Sequence, residues 1–187
     1  MRSSTVSNSV RLPCSRRRPI RSKENYGVHA PGVRKFYDWT HASLTLLLNH
    51  LSTIPATEYA KEVPGFGFPT VRAQVIHIFN CEGFRVHTLQ AIPFDDQDPA
   101  NWPTVSDARL LQSEVSMRTL NYLSRLSEQN LIAPTELHFS DGDVAVRTPA
   151  LILHHVLTHA FHHKGQIVSM CRILGYPAPD TDLNQFE

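Results

Sequence analysis

The sequence has few cysteines and no long apolar run, and both shortages exclude whole classes of protein. Only Cys14, Cys81 and Cys171 occur among 187 residues, too few and too scattered for the disulfide framework of a small secreted domain. No stretch approaches the roughly 20 apolar residues that cross a bilayer. Hydrophobic residues make up 41% of the chain and charged residues 19%, a balance typical of soluble globular proteins. We therefore expect one soluble domain in the cytoplasm, without a membrane partner.

Acidic residues are nearly absent from the first 24 positions. This segment holds seven basic residues and one acid, so its net charge is +6 and the remainder of the chain carries −5. It is rich in Ser and Arg and has no periodic apolar pattern, as disordered segments do. We predict a disordered basic leader over residues 1–32, with a targeting segment, a basic arm and an over-extended start as alternatives. Nucleic-acid binding is not favoured, because the remaining body is net acidic.

Residues 33–187 carry the periodicity of a helical domain. Apolar residues recur at three- and four-residue steps over Val33–Leu51, Thr70–Ala91 and Val105–Leu126, which indicates one buried stripe on each of three helices. The segment between the first two, residues 54–69, contains three prolines and two glycines. It therefore predicts a long connection that lets the second helix run in a non-antiparallel direction.

The last third of the chain predicts a hairpin followed by a fourth helix. Residues 136–147 alternate apolar and polar side chains around Asp141-Gly142, a dipeptide that favours a hairpin turn. Thr148 is then a suitable N-cap, Pro149 suits the first helical position, and Gly175 ends the helix. The fold predicted from these patterns is all-α, a four-helix bundle with a small β-hairpin before the last helix.

Histidine is concentrated in this last helix. Five of the eleven histidines fall within one stretch of ten residues in this helix: His154, His155, His159, His162 and His163. Residues four apart share a helix face, so His155, His159 and His163 form one row, of which two can chelate one ion. The pair resembles the H-E-x-x-H device of zinc metalloproteases, although the metalloprotease glutamate is missing here.

A third ligand should come from a facing helix, and His77, in the middle of the second helix, is the best candidate. The alternative for each histidine is an ordinary hydrogen-bonded core or surface residue. Cys81 shares the face of His77 and is a candidate fourth ligand, while Glu82 is a candidate pocket base or acceptor for a ligand's second nitrogen. His41, His50 and His87 are interpreted as ordinary polar-face residues.

The run His155-Val-Leu-Thr-His-Ala-Phe-His-His-Lys-Gly-Gln-Ile167, followed by Leu174-Gly-Tyr-Pro177, resembles the signature helix of the DinB family, H-x-x-x-H-x-x-H-H-R-G-Q-I. Lys164 replaces the usual arginine, a change that should not affect metal binding. The resemblance also covers Phe36–Trp39 and Gln74–Ile78, and it extends over roughly residues 33–185. It implies a four-helix bundle with up-up-down-down connections and a metal site made of His77, His159 and His163.

A site with three histidines leaves a coordination position open, which is typical of catalytic metals. We therefore expect one divalent transition metal, Zn above all, with Ni, Fe or Mn as alternatives. The resemblance implies a thiol S-transferase that takes a low-molecular-weight thiol, with a hydrolase as the second chemistry and no general acid or base identified. The alternative is a non-catalytic module in which the metal is structural or sensory. A homodimer formed through the leucine-rich first helix is a further expectation.

Overall fold

The computed structural model describes residues 28–139 and 142–186. These residues form, in chain order, α1 (Ala30–Leu51), α2 (Ala56–Tyr59), α3 (Val71–Gln90), α4 (Val105–Arg125), α5 (Glu128–Ile132), β1 (Thr135–His138), β2 (Val144–Arg147) and α6 (Pro149–Ile173). Single 3-10 turns cover Pro99–Asn101 and Leu183–Gln185. The predicted bundle of four long helices, α1, α3, α4 and α6, with an antiparallel hairpin before the last one, is confirmed. Over the described ranges, no helix is both long and apolar enough to cross a bilayer.

Threonine side chains set the starts of three long helices. Thr70, Thr104 and Thr148 are the N-caps of α3, α4 and α6, and each hydroxyl accepts a hydrogen bond from a backbone N–H of the first turn. Asp107 completes a capping box with Thr104, so two otherwise unpaired N–H groups are satisfied at once. Because these signals are local, the starts predicted from the sequence are close to those observed.

Helix α1 begins three residues earlier than predicted. The His29 imidazole accepts a hydrogen bond from the N–H of Gly32, and Pro31 lies in the first turn, where its fixed φ suits a helix. Residues 30–32 therefore belong to the helix rather than to the leader. The rest of the leader, residues 1–27, lies outside the described residues, so its disorder stays a prediction.

Two apolar clusters, one at each end of the bundle, show how the long helices run. The first cluster contains Val33 of α1, Leu123 of α4 and Leu153 of α6. The second contains Leu47 and Leu51 of α1, Val71 and Val75 of α3, Ala108 of α4 and Met170 of α6. Helices α1 and α6 thus run from the first cluster to the second, and α3 and α4 run back. The order is up-down-down-up, which differs from the up-up-down-down order implied by the resemblance.

The connection between α3 and α4 is the one that returns along the bundle. Asn80 binds the backbone of Gln97 twice, donating through Nδ2 to its carbonyl and accepting through Oδ1 from its N–H, both at 2.9 Å. Closer to the end of α3, a Cβ placed on Gly83 would lie 2.5 Å from Phe94 Cε2. The segment 91–104 therefore packs against α3 and carries the chain back along it. The sequence predicted that the long first connection lets α3 run in a non-antiparallel direction, but α3 runs antiparallel to α1.

Two features of the bundle lay outside the sequence prediction. The long first connection contains the short helix α2, whose Tyr59 is buried in the core, and α5 places Leu131 in the other cluster. The leucines of α1 at positions 44, 47, 48 and 51 are at most 3% exposed. They face the core and cannot supply a dimer surface. Dimerisation stays a prediction, but these leucines no longer support it.

Candidate metal centre

Three histidines from two neighbouring helices converge between α3 and α6. His77 lies on α3, and His159 and His163 lie one turn apart on α6. One ligand nitrogen from each can be chosen so that all three lie within 4.8 Å of one another. His163 is buried, and the other two are half-buried. The structure therefore brings together the three residues that the resemblance assigned to a metal.

Two of these imidazoles are already in contact through their outer nitrogens. His77 Nε2 and His159 Nε2 are 3.1 Å apart, so a proton on one of them must bridge the pair when no cation is present. The His163 ring centroid is 4.3 Å from that of His159 and 4.5 Å from that of His77. Ligand nitrogens within 4.8 Å of one another could hold a single cation.

Burial keeps the three imidazoles neutral. It lowers the pKa of His159 to about 3 together with the nearby imidazoles, of which His163 contributes most. Burial and the neighbouring histidines lower the pKa of His163 to about 4. The pKa of His77 is also lowered by burial, against the opposing effect of Asp96. Neutral rings carry the free lone pair that a metal needs, so at pH 7 the site is ready to bind a cation.

Gln74 fixes the orientation of the deepest ligand. Its Oε1 accepts a hydrogen bond from His163 Nδ1 at 2.6 Å, and its Nε2 donates to the Phe68 carbonyl and to Gln166 Oε1. Gln166 in turn contacts His162 Nε2 at 2.7 Å. A proton held on Nδ1 of His163 leaves Nε2 with the lone pair that a metal would need, and partners of ligating histidines generally act in this way.

The other two ligands are supported differently. Phe68 stacks on His77, with ring centroids 3.8 Å apart and an interplanar angle of 24°. His159 Nδ1 is buried and has no hydrogen-bond partner within the described part of the chain. The site is therefore held on one side by an aromatic ring and on another by an amide, and its middle ligand has a free nitrogen.

Cys81, the candidate fourth ligand, lies beside the three histidines rather than among them. Its Sγ is 4.0 Å from His155 Nε2, and the group of ligands within reach of one ion does not include it. Burial raises the pKa of its thiol to about 11, partly opposed by Arg85. His155, the third member of the row on α6, thus contacts this thiol one turn away from the centre.

Glu82 does not reach the metal site, as either pocket base or acceptor. It is 2% exposed and accepts hydrogen bonds from Tyr37 and Thr119 at 2.7 Å and from His41 at 3.0 Å. Its side chain points towards α1 and α4, because five residues along a helix turn it well away from His77. The interpretation of Glu82 as a residue of the histidine site was wrong, because its carboxylate faces α1 and α4 instead.

Histidines interpreted as ordinary polar-face residues also have specific partners. His41 binds Glu82, and His50 Nε2 contacts the carbonyl of Tyr176 at 3.0 Å. His87 is 7% exposed. Its Nδ1 donates to the Pro93 carbonyl, and its Nε2 accepts a hydrogen bond from Arg118 Nη1. These rings fix contacts between elements that the sequence spacing does not reveal.

Comparisons with known proteins agree with this architecture. The model of a family described as the DinB family matches residues 23–187. Protein DinB of Bacillus subtilis strain 168 is 23% identical over 156 residues, covering 79% of this chain and 89% of that protein. The crystal structure of a DinB-like protein from Bacillus cereus ATCC 10987 superposes with a TM-score of 0.55 at 17% identity, covering 80% of this chain and 95% of that one. At this identity the structural likeness shows the shared fold alone.

Proposed function

Because the chain belongs to the DinB family, we propose that it binds one divalent transition metal through His77, His159 and His163 and uses it in catalysis. The observation that carries the proposal is the convergence of three imidazoles from α3 and α6 with ligand nitrogens within 4.8 Å. Zinc is favoured, with Ni, Fe or Mn as alternatives, since imidazole suits several of these ions and supply often decides between them.

The donor set fits such an ion. All three ligands are neutral nitrogen donors with lowered pKa values, and Gln74 presents the free nitrogen of the deepest one. Three protein ligands are typical of catalytic sites, because a further position stays open for water or substrate. His77 and His159 are half-buried, which supports access from solvent on their side of the site.

A metal held there would supply Lewis acidity that lowers the pKa of a thiol or a water molecule. The chain's own part is to keep the imidazoles unprotonated, to orient His163 through Gln74 and to cover one face of His77 with Phe68. We propose a low-molecular-weight thiol as substrate and S-transfer as the reaction, with hydrolysis as the second candidate. Both reactions need a nucleophile that is deprotonated at neutral pH.

Elemental analysis of the purified, tag-free protein tests the metal site. We expect about one equivalent of transition metal in the wild type, and loss of that metal in His77→Ala, His159→Ala and His163→Ala. His154→Ala is the matched control, because His154 lies on the same helix and its side chain, within the described part of the chain, hydrogen-bonds only to the Ala150 carbonyl. Equal metal content in all five proteins after reconstitution would contradict the proposal.

Activity separates a catalytic metal from a structural or sensory one. A thiol-transfer assay with several small thiols and an electrophilic acceptor should give turnover in the metal-loaded wild type above that of His163→Ala. A non-catalytic module would instead show no turnover with any acceptor while a chelator strongly lowers its melting temperature. Those two results together would contradict the enzyme proposal and favour a structural or sensory metal.

A further inference from the structure

A buried polar cluster lies on the side of α3 that faces away from the metal site. Its centre is Glu82, whose Oε1 accepts from Tyr37 and Thr119 and whose Oε2 accepts from His41. Burial raises the pKa of Glu82, but His41 and the hydrogen bonds outweigh it, so the pKa lies below its ordinary value. The carboxylate is therefore ionised and can only accept hydrogen bonds.

This acceptor dictates which nitrogen of His41 is free. A ring nitrogen that faces an ionised carboxylate carries its proton, so His41 Nε2 donates to Glu82 Oε2 at 3.0 Å and Nδ1 is the nitrogen left for a ligand. Across residues 28–139 and 142–186, no hydrogen-bond partner of His41 Nδ1 is present. The ring stacks on Tyr37 with centroids 4.2 Å apart, and 13% of the side chain is exposed. Glu82 and Tyr37 thus hold an imidazole whose second nitrogen is available to a ligand.

His41 lines an open groove of about 550 Å³ between α1 and α4. Arg109 lies further along the same groove, and its Nη2 donates to Asn49 Oδ1 at 2.6 Å, leaving its other N–H groups for a ligand. Met117 and Leu120 supply apolar surface, and no carboxylate lines the groove. The lining therefore combines one fixed cation, one imidazole nitrogen that is open to a ligand and an apolar stretch.

The two polar ends are a small molecule's length apart. Arg109 is seven residues before Ser116 on α4, a separation of about 10 Å along the helix. Ser116 Oγ accepts a hydrogen bond from the Tyr37 hydroxyl at 2.9 Å, and Tyr37 stacks on His41. A ligand that spans the groove would thus have one group at Arg109 and another at His41.

We propose that this groove is a second binding site, for a small organic anion that carries a hydroxyl group at its other end. Its anionic group pairs with Arg109, its hydroxyl group hydrogen-bonds to His41 Nδ1, and its methylene groups cover Met117 and Leu120. The site is independent of the three metal ligands, because those lie between α3 and α6.

An NMR titration of the full chain with ω-hydroxyhexanoate tests the proposal. This probe has a carboxylate and a hydroxyl at the ends of a chain of suitable length. Backbone amide signals of α1 and α4 around His41 and Arg109 should shift, with a dissociation constant of about 10 mM or tighter. Hexanoate, which lacks the hydroxyl group, and the corresponding diol, which lacks the charge, should each bind more weakly.

Variants assign the two contacts. Arg109→Gln should weaken binding about tenfold or more, because a charge-assisted hydrogen bond is lost, whereas Arg125→Gln on the same helix should not. His41→Gln should remove the preference for ω-hydroxyhexanoate over hexanoate. Should that variant not fold, the preference in the wild type tests the same contact.

Several outcomes would overturn the proposal. They are no shift at probe concentrations well above 10 mM, equal binding of all three probes, equal binding by Arg109→Gln, and shifts confined to the surroundings of His77, His159 and His163. The last would assign the anion to the metal site. Binding unchanged in His163→Ala would instead support a separate site even if that protein holds no metal.

Discussion

At the scale of single residues, Gln74 holds His163, one of the three proposed metal ligands. It is fully buried, and its amide joins His163, Phe68 and Gln166. We predict that Gln74→Leu lowers metal affinity about tenfold to 100-fold, because His163 loses the partner that fixes its protonated nitrogen. Competition with a chelator of known affinity measures the change.

The matched control for this change is Gln129→Leu, which replaces an exposed glutamine of α5. If both variants bind metal as tightly as the wild type does, Gln74 has no role in orienting the ligand. His159 and His163 were foreseeable from helical spacing and the family motif, and His77 from its place in the middle of a facing helix and from the resemblance. The role of Gln74 was not, since spacing along one helix cannot show which side chain of a facing helix meets His163.

At the scale of elements, the fit between α3 and the segment 91–104 depends on Gly83. A methyl group there would lie 2.5 Å from Phe94. We predict that Gly83→Ala destabilises the protein by about 1–3 kcal/mol, as overpacking does. Urea denaturation followed by circular dichroism measures the loss.

Gly165 supplies the control for the same substitution in a helix. Nothing lies within 4 Å of a Cβ at this position of α6, so Gly165→Ala should stabilise the protein by about 0.5–1 kcal/mol through helix propensity alone. A Gly83→Ala variant that gains stability as Gly165→Ala does would show that Phe94 moves aside without cost.

Element boundaries and element directions differ in how far the sequence determines them. Thr70, Thr104 and Thr148 each cap a helix through a contact with a residue three positions later. Because these contacts are local, the sequence predicted the helix starts. The direction of α4 depends on Asn80 holding Gln97 after the chain has turned back. That contact joins residues 17 positions apart, and no local pattern predicts it.

At the scale of the whole molecule, the histidine site links stability to pH. In the metal-free protein the pKa values of His77, His159 and His163 lie below their ordinary 6.5. The unfolded chain therefore binds more protons than the folded one as the pH falls below 6.5, and the free energy of unfolding decreases. We predict a falling urea midpoint between pH 6.5 and about pH 4 in the presence of a chelator.

Removing the titrating groups tests the assignment. The double substitution His159→Gln and His163→Gln should flatten this pH dependence, while His138→Gln, at an exposed position of β1, should leave it unchanged. An equally steep dependence in the double variant would place the responsible groups elsewhere in the chain.

The up-down-down-up path of the chain also orders events during folding. Within residues 28–139 and 142–186, none of the long helices is followed in sequence by an antiparallel long helix that packs closely against it. This part of the chain therefore has no pair of long helices that forms a hairpin early from local contacts. Loop closure must come before most contacts between helices, which slows folding relative to simple bundles. Helix α6 leaves the ribosome after the other three long helices and carries two of the three proposed ligands, so the three histidines can come together only after α6 has docked on α3.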